Sequence, residues 1–326
     1  RLVANDGYWG GVPQLDALVY RPFEDIAGLQ QALRQGEIDV AWMPTGTLSF
    51  AGNPSADPGP GLTEHRYPAL ELVFVAFNNE HPVLSDSQVR RALSMAVDRQ
   101  RVLSLALEGE GELIGSSLPP WHWSGDPDLP SLSYDPDGAR RLMEAAGWND
   151  SDGDGWLDRE GERLRLPVRT NGGNRLRERV ATLVVGYYRA IGVDASVEFV
   201  QWQVLVDDLF THDFEAVVFS WPLSAEPDQS HMWVSTENQT GVGYNFVSFA
   251  DEEVDRLLQQ ALVVPGCAAE ARAGLYRQVQ GRLAQERPYD FLLVPYGHVI
   301  ASDRVGGIRP GPFASPFWNA ADWYVY

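Results

Sequence analysis

What most limits the fold of this chain is its punctuation: apolar runs of strand length alternate with amphipathic, helix-length segments that carry their own caps. Leu15 to Tyr20 reads as a strand, Asp25 to Arg34 as a helix closed by Gly36, and Asp39 to Trp42 as a short buried strand. The Gly-, Pro- and Ser-rich stretch from Thr45 to Pro68 predicts a surface loop or a crossing between lobes, and Leu70 to Phe77 a buried strand. Ser85-Asp86-Ser87-Gln88 has the capping-box pattern, with Val89, Leu93, Ala96 and Val97 at helical spacing behind it. Asp135 with Pro136 opens another helix that Gly147 closes, and a further one runs from Arg175 to Ile191 before Gly192. Leu164, Leu166 and Val168 alternate with Arg163, Arg165 and Arg169 as in a strand, and Val193 to Val200 and Phe214 to Trp221 supply two more. Helices at Glu252 to Leu262 and Ala268 to Glu286 precede a last apolar strand, Phe291 to Tyr296. Such alternation predicts an α/β protein with mixed sheets, its central part forming one lobe and its two ends belonging elsewhere.

A chain of 326 residues that is 44% hydrophobic holds enough apolar material for about two domains. A net charge of −20 disfavours nucleic acid and anionic membrane as partners, because an acidic surface repels both, and leaves neutral or cationic ligands. Every one of the 25 basic residues is Arg. Cys267 is the only cysteine, which removes intrachain disulfides and Cys-based metal clusters. No apolar run reaches the roughly 18 to 20 residues of a membrane span, and Arg1 to Asp6 does not read as a signal peptide.

Three constellations carry possible chemistry. Asp150-Ser151-Asp152-Gly153-Asp154-Gly155-Trp156-Leu157-Asp158 has the alternating carboxylates of a calcium loop, but Gly161 stands where a bidentate Glu would close it and a strand follows in place of a helix. Asp150, Asp152, Asp154 and Asp158 are the candidate ligands of a structural calcium ion, set against an acidic turn that needs none. The strand ending in Trp221 leads into Pro222-Leu223-Ser224-Ala225-Glu226-Pro227-Asp228, a placement where open α/β sheets put ligand-contacting groups. Trp221 can stack on a ligand while Glu226 or Asp228 holds a cationic group; Asp228 also suits the cap of a helix starting near Gln229. Trp121 and Trp123, with His122 between them, and Tyr244-Asn245-Phe246 either line a pocket or cover the core. Six scattered histidines, with no H-E-x-x-H, G-x-S-x-G, Walker or dinucleotide motif, give little support to an enzyme.

The order of motifs resembles that of family 5 extracellular solute-binding proteins, the peptide, dipeptide and nickel receptors of ABC importers. Asn5-Asp6-Gly7-Tyr8-Trp9-Gly10-Gly11-Val12-Pro13-Gln14-Leu15-Asp16 is similar to the N-x-x-Y-W-G-G-x-P-x-L-D segment of that family, and Gly36 to Val40 to its G-E-I-D-V turn. Phe77-Asn78, Pro82, Leu84-Ser85-Asp86, Val89-Arg90-Arg91-Ala92-Leu93 and Ala96-Val97-Asp98-Arg99 form the most specific match. Glu226-Pro227-Asp228 stands where the family often has D-P-D, and Asn245-Phe246, Glu253 to Leu258 and Tyr276 to Gln280 continue the agreement.

This resemblance implies a class II periplasmic-binding-protein fold, with residues 1–71 and 299–326 in a first lobe that lacks its N-terminal part and residues 72–298 in the second. Hinge strands are expected near Val73 to Phe77 and Leu293 to Val299. It also implies an extracytoplasmic, non-catalytic receptor, monomeric at full length, that captures a peptide or similar small solute by lobe closure and delivers it to membrane permease subunits; the export signal or lipoprotein anchor would precede this segment. Trp221, Glu226, Asp228, Trp121, Tyr244 and Asn245 are the expected ligand-binding residues. An extracytoplasmic hydrolase acting on sugars or peptides through a carboxylate pair, and a calcium-dependent adhesion module, are the alternatives.

Overall fold

A computed structural model describes residues 1–43, 58–313 and 315–326. By contact, the chain gathers into two compact units: Arg1–Leu70 with Leu107–Glu112 and Pro295–Tyr326, and Glu71–Ala106 with Leu113–Val294. The principal strands are β1 Val40–Met43, β2 Leu62–Pro68, β3 Glu71–Phe77, β4 Arg165–Asn171, β5 Asp194–Val200, β6 Ala216–Pro222 and β7 Tyr289–Ser302. The helices are α1 Ile26–Arg34, α2 Ser87–Met95, α3 Arg99–Leu107, α4 Pro136–Ala145, α5 Arg175–Ala190, α6 Trp202–Thr211, α7 Ser230–Trp233, α8 Glu252–Leu262 and α9 Ala269–Glu286.

In the smaller unit, the second half of β7 pairs antiparallel with both β1 and β2, His298 lying opposite Met43 and Arg66. Side chains alternate across a strand, so this half buries two faces. Ile300 joins Leu33, Ala41 and Met43 under α1, while Val299 and Ala301 join Tyr67, Ile308 and Trp323 on the other side. Glu64 and Glu110 flank buried His298, the former 3.0 Å from Nδ1 and the latter 3.7 Å from Nε2. Thr45 to Pro68 reads in the sequence as a surface loop or a crossing between lobes. Residues 45–57 lie outside those described, but Leu62–Pro68 is a strand, its polar Thr63, Glu64, His65 and Arg66 hiding the pattern.

The larger unit is built on a sheet of order β5-β4-β6-β3, with the first half of β7 next to β3. β4 runs parallel to both β5 and β6, whereas β3 is antiparallel to β6 and β7. Parallel neighbours need a crossover, which α5 provides between β4 and β5. Central β3 is buried at six of its seven positions, as a strand covered on both faces must be. Phe74, Phe77 and Phe291 are fully buried, each worth about 1.5 to 3 kcal/mol by leaving water.

Most helix boundaries follow the caps. Asp135 accepts from Gly138 N–H at the start of α4, and Asp251 from Glu253 and Val254 N–H at the start of α8. Gly192, at φ +92°, lets the chain reverse after α5 so that Val193 N–H reaches Tyr188 O at 3.1 Å. The expected capping box does not form. Asp86, not Ser85, caps α2 by accepting from Gln88 N–H, and the Ser85 hydroxyl bonds Pro82 O. The strand foreseen over Leu15 to Tyr20 shrinks to Ala17–Leu18, paired with Leu2–Val3. Helices α3 and α6 carry no strong sequence signal: α6 starts without a side-chain cap.

Candidate functional site

Parallel β4, β5 and β6 end side by side, and the carboxyl ends of parallel strands are where α/β sheets present functional groups. Three of those ends carry what the sheet interior would not tolerate. Asn171 closes β4, Trp202 opens α6 two residues beyond β5, and Ser220 and Trp221 close β6.

Aromatic rings form a continuous strip there. Trp202 stacks on Phe219 (centroids 5.9 Å, 16° between planes), Phe219 meets Trp221 edge-on at 5.9 Å, and Trp221 stacks on Phe246 at 5.5 Å and 16°. Tyr244 and His231 complete it, each within 6.5 Å of Trp221 and 6.0 Å of the other. Rings arranged in offset stacks and edges hold one another in place, which leaves their remaining faces preorganised. Trp202 is 50% and Tyr244 44% exposed, so the strip is wet at both ends. Beneath it, Trp221 Nε1–H donates to the OH of fully buried Tyr289 (3.2 Å), which fixes the indole plane. Burial pushes the Tyr289 phenol well above its usual range, so it remains a neutral acceptor.

One cation is built into the strip. Arg177, in the first turn of α5, donates from Nε and Nη2 to Ser220 Oγ (3.1 and 2.7 Å) and from Nη1 to Asn171 Oδ1 (2.8 Å). Its guanidinium sits 4.6 Å from the Phe219 centroid and 5.8 Å from that of Trp202. Ser220 in turn donates to Glu71 Oε1 at 2.7 Å. Burial lowers the Arg177 pKa and the Glu71 charge opposes that shift, so the guanidinium stays a fixed cation.

The residues singled out from sequence occupy distinct places around this strip. Trp221 and Tyr244 lie in it. Asn245 is fully buried beneath it, donating to Val234 O and Phe249 O and accepting from Phe249 N–H, which makes it the bracket of the 245–249 turn. Glu226 is ion-paired with Arg272, and Asp228 Oδ1 accepts from Ser230 N–H (3.0 Å) and Oγ (2.5 Å); the residue at the cap position of α7 is Gln229, which makes no side-chain cap bond, so Asp228 is not the helix cap that its position suggested. Trp121 is half-buried in the neighbouring loop. That loop fastens the Glu226 segment: Trp123 Nε1–H donates to Ala225 O at 2.8 Å, and His122 Nε2 lies 3.1 Å from Ser224 O. Because Ser124 N–H donates to His122 Nδ1, the ring proton sits on Nε2 and points at that carbonyl.

Arg177, Trp202, Phe219 and His231 escape a linear reading. Their signal is the position each holds next to a strand end, and that becomes informative only once the strand order is known.

Asp150, Asp152 and Asp154 do converge, with carboxylate oxygens within 4.8 Å of one another. Most of their oxygens accept hydrogen bonds within the loop. Asp150 accepts from Gly153 and Gly155 N–H, Asp152 from Asp154 N–H, and Asp154 from Trp156 N–H and from Arg163. Asp158 turns away to Ser151, whose bonds hold its pKa below the usual carboxylate value. The loop's own amides and Arg163 thus hold the acidic turn closed, and Asp158 lies outside the group of three converging carboxylates.

Residues 1–241 match the family described as bacterial extracellular solute-binding proteins, family 5 Middle. The chain belongs to this family. It is 30% identical over 329 aligned positions to the oligopeptide-binding protein AppA of Bacillus subtilis, covering 100% of this chain and 59% of that one. A structure of Bacillus subtilis AppA in complex with a nonapeptide superposes with a TM-score of 0.76 at 28% identity, over 99% of this chain and 63% of that chain. HbpA2 from Haemophilus parasuis shares the fold with a TM-score of 0.83 at 21% identity, over 99% of this chain and 61% of that chain. The chain thus spans about three fifths of the length of these relatives. The neighbours are periplasmic binding proteins, and the mixed α/β sheet agrees with one lobe of such a two-lobed fold. Among the described residues, no helix is long and apolar enough to cross a membrane.

Proposed function

We propose that this chain forms the greater part of an extracytoplasmic receptor of an ABC importer, which captures peptides or similar small solutes by lobe closure and hands them to a membrane permease without chemical turnover. The observation that carries the reading is the aromatic strip at the carboxyl ends of β4, β5 and β6 in a family 5 chain. Rings wedged by their neighbours lose little freedom when a ligand stacks on them, so more of the contact energy appears as affinity. Trp221 provides the stacking face, Tyr244 and Trp121 flank it, and Asp228 Oδ2 meets a ligand ammonium, since Oδ1 is taken by Ser230. A relative named for oligopeptides, 30% identical over the whole chain, supports a peptide over a metal complex. The chain passes between the two units at Leu70–Glu71, Ala106–Leu107, Glu112–Leu113 and Val294–Pro295, the first and last close to the segments expected to act as hinges.

Calorimetry on the full-length protein with a series of short peptides tests this. Trp221→Ala should weaken binding at least tenfold, the size expected of a central aromatic contact worth about 2 kcal/mol, and Asp228→Asn should weaken it too. Undiminished affinity in both variants would remove the assigned site.

A further inference from the structure

Glu226 and Asp228 stand two residues apart in one loop, and their surroundings treat them oppositely. Among the described residues, Asp228 accepts hydrogen bonds from the Ser230 amide and hydroxyl and meets no arginine. Glu226 is clasped by Arg272 of α9, Nη2 to Oε1 and Nη1 to Oε2, the latter at 3.4 Å. A two-pronged arginine–carboxylate pair is geometrically specific as well as attractive.

The arginine is positioned independently of its partner. Arg272 Nε donates to Ala261 O (3.1 Å) and Nη2 to Tyr276 OH (3.1 Å), and the guanidinium lies 5.7 Å from the Trp123 ring centroid and 5.6 Å from that of Tyr276. Its side chain is 16% exposed, against 55% for Glu226. The cation is therefore the anchored member, and the carboxylate comes to it. Trp123, which contributes one of the two rings, also holds the Ala225 carbonyl, so loop and arginine share a support.

We propose that Arg272 is a specificity-determining residue: by neutralising Glu226 it leaves the loop after β6 with one carboxylate free to meet a ligand cation instead of two. The receptor then accepts solutes with a single ammonium at this end and gains nothing from a second cation beside it. This inference rests on the reading of the strip and its loop as the ligand site. It also explains how a chain of net charge −20 avoids becoming an indiscriminate trap for polycations at the point of capture.

The test uses full-length protein, titrated calorimetrically with Ala-Ala-Ala and Lys-Ala-Ala. Wild type should bind the two within about twofold of one another. Arg272→Gln should shift the ratio of affinities about fivefold toward Lys-Ala-Ala, the scale of one partly exposed charge pair. Arg272→Lys and the double variant Arg272→Gln with Glu226→Gln should restore the wild-type ratio, which a merely structural role would not predict. An unmoved ratio in Arg272→Gln with an unfolding midpoint near that of wild type overturns the proposal. Glu226→Gln alone gives a second check, because it leaves Arg272 as an uncompensated cation beside the loop and should shift the ratio away from Lys-Ala-Ala; a shift toward Lys-Ala-Ala would overturn the charge count. Trp221→Ala separates the two possible failures. Undiminished binding there removes the site reading and this assignment with it, as does failure of wild type to bind either peptide, whereas weakened binding with an unmoved Arg272→Gln ratio removes only the role of Arg272.

Discussion

Asp290 to Ala should be among the most damaging single substitutions in the larger unit. Asp290 opens the second position of β7 and receives Arg99 Nη2, and the two side chains are 0% and 2% exposed. Arg99 also donates to Phe291 O, Val97 O and Leu132 O at 3.1 to 3.3 Å, so it ties the start of α3 to β7 and to the segment before α4. Removing the carboxylate leaves a guanidinium buried among carbonyl dipoles with no anion, and breaking a buried pair from one side costs about 3 to 5 kcal/mol. Removing both charges together should cost less, since the desolvation penalty disappears with them. The pair Asp290→Ala and Arg99→Met, with their double variant, forms a thermodynamic cycle that urea unfolding followed by far-UV circular dichroism can close. A loss above about 3 kcal/mol for Asp290→Ala, and a double variant cheaper than the two losses added, is the expected pattern. A cost below about 1 kcal/mol, or strict additivity, would show that the carbonyls alone satisfy Arg99 and that the ion pair contributes little.

Two further outcomes follow from local geometry. Asp86→Ala should lower stability by about 1 kcal/mol through loss of the α2 cap, while Ser85→Ala should cost less than half as much, and urea midpoints that reverse this order would contradict the observed cap. Burial lowers the pKa of His65, His81, His122 and His212 below 6.5. The unfolded chain therefore takes up protons first, and the stability these neutral imidazoles lend above that value is lost as the pH falls through it toward their folded values. The urea midpoint should drop between about pH 7.5 and 5.5, and a flat or rising midpoint over that interval would refute the assignment.

How much of this molecule is legible in its sequence depends on whether the deciding contact is local. Asp135, Asp25 and Gly192 announce helix ends because cap and capped amide lie within three or four residues, and the alternation of Leu166 and Val168 with Arg165 and Arg169 survives unchanged in β4. Leu62–Pro68 fails the same reading because both faces of that strand carry polar residues that only β7 explains. The site fails it for a related reason. Trp202 and Trp221 are neighbours through Phe219 because β4 lies between β5 and β6, an order that no stretch of adjacent letters encodes.

Charge shows the difference most sharply. In the sequence, Glu226 and Asp228 read as a doubled anion after a tryptophan, a natural seat for a cation. Arg272 lies 46 residues away on α9, and it alters that reading by geometry that the loop itself does not contain. Two carboxylates of the same type, two residues apart, come to hold different tasks because one faces an anchored guanidinium and the other a serine. If so, relatives that keep Glu226 but replace Arg272 with a neutral residue should differ in the charge of the solute they accept, while keeping the same aromatic strip and the same fold.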